Sequence, residues 1–467
     1  MIRDRYRLNG LGVGIVFMGC VLIPAQAMGQ LAGAGPLTLN DAVQLALKNY
    51  PAIKESRARA EAADEAIAVA RTAYLPRVDM VWQQNRATRN NVFGLLLPQS
   101  IVPPISGPVL GTQSSDTVWG SAAGALLSWD AIDFGQRKAA VDVAHGQRSI
   151  AGAQNELTQL DVAAAAADAF LTVLASDEAV RAVRANVDRL EVFATTVRTL
   201  ARNQLRPGAD ESRADAELAI ARNQLSQAVQ AAEIARASLA AAIGAPDMAV
   251  QLTAGRLTEL PEMPSIGTAD IETHPAVRAQ SAVVETARAR ERVVARSMFP
   301  RVTVQSVFAN RGSGAQVPGQ PPPRNGLWPE FSNWAAGVTV TFPFFDVFAV
   351  APRKRLEVQN ELAASARYEQ TIQDLTAQDA RARALMKAAS DIAQNTPVER
   401  RAASAAESQA RARYQSGLAS ITEVAEAQRL LAQAEADDAV ARLGVWRALL
   451  AAAQVRGDVS SFLDKTR

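Results

Sequence analysis

The chain contains one cysteine and two histidines in 467 residues, and its formal net charge is only +2. A His/Cys metal site, a disulfide framework and a Cys–His nucleophile pair each need more of these residues than it possesses. Lys and Arg total 49 against 47 Asp and Glu, so no positive excess marks a surface for nucleic acid. Aromatic residues are 5% of the chain, and much of the 48% hydrophobic share is alanine, which favours helix and packs thinly. A large conventional core is not expected. Nor does a phosphate-binding glycine loop occur, which argues against ATP hydrolysis by this chain.

Long apolar runs are also scarce. The longest runs from Leu11 to Ile23, short of the roughly 20 residues of a helical membrane span. It follows Arg3, Arg5 and Arg7 and precedes Ala25-Gln26-Ala27. This is the layout of a secretory signal peptide over residues 1–27. Two alternatives are a retained anchor and acylation at Cys20. Phe17 and Met18 suit acylation poorly, and Val21 to Ile23 continue the apolar run beyond the cysteine.

What remains is repetitive. Pro51-Ala52-Ile53 recurs as Pro275-Ala276-Val277, and Pro76-Arg77-Val78 recurs as Pro300-Arg301-Val302, both at an offset of 224. Each pair of prolines brackets an Ala-, Arg- and Glu-rich stretch without Gly or Pro, which reads as helix, over 39–74 and 275–298. After each second proline the pattern alternates. Val302, Val304, Ser306 and Phe308 share one face, and Trp334, Ala336, Val338, Val340 and Phe342 form another such row. Two β-hairpins with long tips result, with strands expected at about 77–92, 117–129, 301–310 and 334–345.

An alternating apolar face belongs either to a soluble sheet packed on a core or to a sheet facing lipid. Here the flanking helices offer few large apolar side chains to cover it. Aromatics also stand at strand ends, at Trp119, Trp129, Trp334 and Phe342 to Phe345, as in the girdles where a membrane barrel meets water. In lipid only a closed barrel satisfies every backbone group, and known barrels begin at eight strands. Four strands cannot close, whereas three chains would supply twelve.

Long helices complete each repeat, at about 136–205 with 211–243, and 353–415 with 421–455. Some 70 continuous residues would span roughly 100 Å, the scale of a helical tube or coiled coil. From the Arg-Lys pair to the turn glycine the second copy, Arg353 to Gly417, is seven residues shorter than the first, Arg137 to Gly208. Seven residues make two turns, a length change that preserves facing. Thr396-Pro397-Val398-Glu399 reads as a helix start, so a kink or short break is expected near Asn395. The organisation expected is repeat one over 28–246, a linker over 247–270, repeat two over 271–457 and a tail over 458–467.

Leu37-Thr38-Leu39-Asn40-Asp41-Ala42, continuing to Tyr50-Pro51, resembles the opening signature of the TolC-type outer-membrane efflux proteins. Trp129-Asp130-Ala131-Ile132-Asp133-Phe134-Gly135-Gln136-Arg137 is similar to that family's strand-to-helix segment, and Tyr414 to Val424 to its helix–turn–helix tip. The likeness covers nearly the whole mature chain. It implies a mainly α protein with membrane β, a trimer forming a 12-stranded barrel continued by a periplasmic α-helical barrel. It implies an exit duct in the outer membrane of Gram-negative cells, serving tripartite efflux or type I secretion. The partners would be a periplasmic membrane-fusion adaptor, an inner-membrane efflux pump or ABC exporter, and outer-membrane lipid. Neither enzymatic activity nor a cofactor or metal is expected. A periplasmic coiled-coil adaptor or scaffold is the alternative, although adaptors flank one helical hairpin with other β-segments.

The resemblance also assigns residues. Gly208, Gly417 and Leu418 match tips that meet the adaptor, with glycine allowing positive φ in a tight turn. Glu423 and Glu426 match an acidic pair facing the pore, six carboxylates in a trimer. Tyr414 matches a tyrosine that holds the tip closed. Ala419 replaces a basic residue of that network, and Pro207 departs from the family's first tip. His274, before Pro275 and equivalent to Tyr50, reads as structural.

Overall fold

The computed structural model describes residues 36–88, 116–261, 269–314 and 325–466. The signal segment with Cys20, the strand end at 89–92 and part of the linker lie outside them. Helix α1 (Leu39–Asn49) opens with a capping box in which Thr38 and Asp41 bond each other's backbone N–H groups. It ends at Tyr50, whose extended backbone is what a following proline imposes, and Pro51 starts α2 (Pro51–Thr72) at its first position. The single helix expected over 39–74 is therefore two. Its counterpart α5 (Pro275–Arg296) is also 22 residues long.

Strands β1 (Arg77–Thr88), β2 (Thr117–Ile132), β3 (Arg301–Ser313) and β4 (Phe331–Thr341) form one antiparallel sheet in chain order. The last strand starts earlier and stops sooner than 334–345, because Pro343 cannot donate to the ladder and Phe344–Asp346 turns into a 3₁₀ helix. Cross-strand partners place side chains on common faces. Val78, Met80 and Trp82 of β1 meet Leu127, Ala125 and Ala123 of β2. Trp129, Leu127 and Ala125 meet Val304, Ser306 and Phe308 of β3, which meet Val338, Ala336 and Trp334 of β4. One face is thus an apolar row running through all four strands. The other carries Asp79, Gln83, Ser128, Asp130, Thr303 and Gln305. Both edges, β1 and β4, are unpaired within the sheet.

Below the sheet, α3 (Gln136–Arg202) follows a sharp turn in which Phe134 and Gly135 take positive φ and Asp133 accepts from the Arg137 backbone at 2.6 Å. At 67 residues it is about 100 Å long, as is α6 (Val347–Gln415) with 69. Each turns back into a 35-residue helix, α4 (Gly208–Ala242) and α7 (Ile421–Val455). Three expectations change here. Helix α4 begins at Gly208 rather than 211, and α6 begins at Val347 with Pro352 already inside it. Helix α6 also continues through Pro397 without a break. Thr396 does not cap there; it is buried with its hydroxyl unpaired, in a groove shared with Ala441 and Gly444 of α7. Packing against α7 carries the helix past the proline.

The main core forms a belt at mid-length. Phe170 and Leu171 of α3, Leu239 of α4, Trp446 and Leu450 of α7 and Val43 of α1 all lie in it. The expected linker joins this belt: Leu252 bridges to Leu37, Leu257 is buried, and the Glu259 carbonyl accepts from the Trp446 indole at 3.0 Å. The tail folds too, as α8 (Ser460–Lys465), with Phe462 and Leu463 buried. His274 caps α5, its Nδ1 accepting from Ala276 at 3.1 Å while its Nε2 lies 3.3 Å from the Gln454 carbonyl.

Candidate functional site

The two long hairpins end side by side, far from the sheet, and a second apolar cluster joins them. It gathers Leu190, Phe193 and Val197 of α3, Leu218 of α4, Tyr414 of α6, and Ile421 and Val424 of α7. Both turns have the same construction. After α6, Leu418 donates to the Arg413 carbonyl and Gly417 to that of Tyr414; after α3, Leu205 donates to Leu200 and Gln204 to Ala201. These are two Schellman motifs, whose left-handed residues are Gly417 at φ 80° and Gln204 at φ 60°.

That geometry corrects the reading of Gly208. It is the first residue of α4, its φ is not positive, and it is no counterpart of Gly417. Gln204 does the work of a glycine in the first tip, without the freedom of one. Measured to these residues, the hairpins differ by three positions rather than seven (67 from Arg137 to Gln204, 64 from Arg353 to Gly417). Helices α4 and α7 are offset by 213 at both ends. On that register Leu205 stands where Leu418 does, Arg206 where Ala419 does, and Asp210 where Glu423 does. The basic residue absent at position 419 is present in the other tip.

Tyr414 is where the tips meet. It is only 1% exposed, and its hydroxyl donates to Asp210 Oδ2 at 2.9 Å. The Arg206 guanidinium lies over its ring, 4.4 Å from the centroid, and donates to the Tyr414 carbonyl. Phe193 packs on the ring at a centroid distance of 5.7 Å. Burial first, then the Asp210 carboxylate, push the phenol up to about 12, so it stays a donor throughout the neutral range. Arg206 and Asp210 were not read from the sequence; aligning the tips on their helix starts rather than on glycine exposes both.

The glutamates are placed differently from each other. Glu423 closes a capping box with Ser420, each bonding the other's backbone N–H at 3.3 Å, and its other oxygen lies 3.6 Å from Arg413. The Glu426 carboxylate is 80% exposed and 4.0 Å from Arg429, which itself bonds Glu217. Leu418 and Leu205 project from the tips at 72% and 68% exposure. Among the described residues no His, Cys, Asp and Glu cluster could hold a metal.

The outer membrane efflux protein profile matches residues 42–245 and 270–457, most of the chain and both repeats. The chain belongs to the outer membrane efflux protein family. It is therefore an outer-membrane efflux channel of the Gram-negative envelope, with a helical extension into the periplasm, and not an enzyme. The adaptor or scaffold alternative falls with this match. Channels of this family form trimers in efflux systems. The curated proteins searched contain no match.

Solved structures agree on the fold. The outer-membrane channel OprN is 20% identical, with 90% of this chain and 89% of that one covered at a TM-score of 0.73. CusC is 13% identical, with 92% and 96% covered and a TM-score of 0.75. CmeC of Campylobacter jejuni is 15% identical, with 92% and 89% covered and a TM-score of 0.73. In an outer membrane efflux protein the sheet is the barrel segment and the paired tips are its periplasmic end.

Proposed function

We propose that three copies of this chain close a 12-stranded barrel and that the tips form a gate, held shut within each protomer by Tyr414, Asp210 and Arg206. The observation that carries this is the buried Tyr414, bonded to the opposite tip through both its hydroxyl and its carbonyl. A hydrogen bond to a charged partner contributes about 1.5–3 kcal/mol, so the closure is firm yet reversible by a docking partner. Glu423 and Glu426 line the throat in this reading and favour cations, their charge moderated by Arg413 and Arg429.

Leu418 and Leu205, presented by the turns at Gly417 and Gln204 and with Gly208 beside them, form the surface that a periplasmic membrane-fusion adaptor engages. An inner-membrane efflux pump or ABC exporter supplies the energy in this reading, since the sequence carries no phosphate-binding glycine loop. Adaptor binding would draw the second hairpin from the first and open the duct.

Single-channel conductance in planar bilayers tests the gate. Tyr414→Phe combined with Arg206→Ala removes the side-chain bonds while keeping the apolar ring, and should raise the open fraction several-fold at equal protein. Conductance indistinguishable from the unaltered trimer would remove these residues from the closure.

A further inference from the structure

The apolar row of β4 does not stop with the strand. Trp334, Val338 and Val340 continue into Phe342, Phe344, Phe345 and Phe348, which are 69%, 81%, 77% and 78% exposed. Arg353, Lys354 and Arg355 follow directly on α6. Asp346 is the only acid between Phe342 and Leu356. Lys354 is paired with Glu291 at 3.3 Å, whereas among the described residues Arg353 and Arg355 form no ion pair.

The first repeat builds the same junction and neutralises it. There Arg137 bonds Asp133 at 2.9 Å and lies over the Tyr74 ring, 4.8 Å from its centroid, while Phe134 stacks on Phe299. In the second repeat the acid stands two turns from Arg353 and the phenylalanines are bare. Direction matters as well. Helix α6 starts at the sheet and runs away from it, and helical Cα–Cβ bonds tilt toward the N-terminus. Both arginines therefore lean back toward the barrel. Phe348 and Arg355 are seven residues apart, about 10 Å along the axis. An arginine there that leans back by only a few Å reaches into a headgroup layer of about 5–8 Å beyond the hydrocarbon edge.

We infer that this junction is a binding surface for anionic phospholipid headgroups of the periplasmic leaflet. The phenylalanines seat at the edge of the hydrocarbon, and Arg353 and Arg355, on opposite flanks of the helix face that Lys354 turns toward Glu291, each meet a separate headgroup phosphate. The inference rests on family membership, which puts the sheet in the outer membrane, and not on the gate.

The test compares phosphatidylglycerol with phosphatidylcholine binding to the full-length trimer in detergent by native mass spectrometry. The double variant Arg353→Gln/Arg355→Gln should lower the preference for phosphatidylglycerol by about fivefold per arginine, from a contribution near 1 kcal/mol each. Arg381→Gln/Arg401→Gln, the same charge change further along α6, should leave it intact. An unchanged preference in the first variant would overturn the inference.

A second measurement on the unaltered trimer decides the matter even if that variant fails to assemble. Phosphatidylglycerol carrying a photoactivatable headgroup should label peptides within residues 342–356. Labelling elsewhere, or none because a neighbouring protomer covers the phenylalanines, would contradict it.

Discussion

Gln204 carries a conformational cost that its counterpart Gly417 does not. A side chain held at positive φ costs about 1–2 kcal/mol, part of which glycine returns through its freedom in the unfolded chain. Gln204→Gly should therefore raise stability by about 0.5–1 kcal/mol and Gly417→Ala lower it by about 1–2 kcal/mol, read as opposite shifts in thermal melting. His274 gives a pH signature. Burial holds its imidazole below the usual histidine range, chiefly by desolvation, with Asp161 and the Gln454 carbonyl opposing and Arg278 assisting. The unfolded chain thus binds the proton more readily, so the stability His274 contributes is complete above about pH 6.5 and is lost as pH falls through the folded value. Protonation also removes the Nδ1 acceptor that caps α5. Melting temperatures at pH 7.5 and 5.5 should differ more for the unaltered protein than for His274→Gln. At this scale the sequence spoke unevenly. Tyr414 was legible through resemblance, but nothing in Asn203-Gln204-Leu205 announces a left-handed residue. The nearest glycine, Gly208, pointed to the wrong turn.

At the scale of elements, prolines did most of the signalling. Pro51 and Pro275 start helices and Pro76 and Pro300 precede strands, because each restricts its own φ and the residue before it. The same logic failed at Pro397. Its capping pattern is genuine locally, yet the helix runs on because α7 packs against it there. Strand faces were readable from alternation alone, since period two leaves no freedom once one row is apolar. Strand ends were less so, and β4 stops at Thr341 where the aromatic run suggested 345. The face assignment predicts that Val338→Arg, on the apolar row and 66% exposed, costs about 2–4 kcal/mol at the bilayer midplane. Heat-modifiable migration of outer-membrane extracts should show its assembled form depleted, while Thr339→Arg on the opposite face should assemble. Equal assembly of both would overturn the face assignment.

For the whole molecule, the deciding fact is that the sheet has two open edges and four strands. A membrane tolerates no unpaired backbone, so the barrel exists only when copies meet edge to edge. The two repeats supply the rest: paired helices of matched length reach past the core belt and end in tips that touch through Tyr414. That architecture was largely legible from repeat offset, strand count and helix length, whereas the tip contacts needed coordinates because they join residues 204 positions apart. The most direct test is the mass of the detergent-extracted particle from the outer-membrane fraction, by light scattering corrected for bound detergent. Three chains per particle is the predicted result; a stable single chain in the membrane fraction would contradict a barrel shared among protomers.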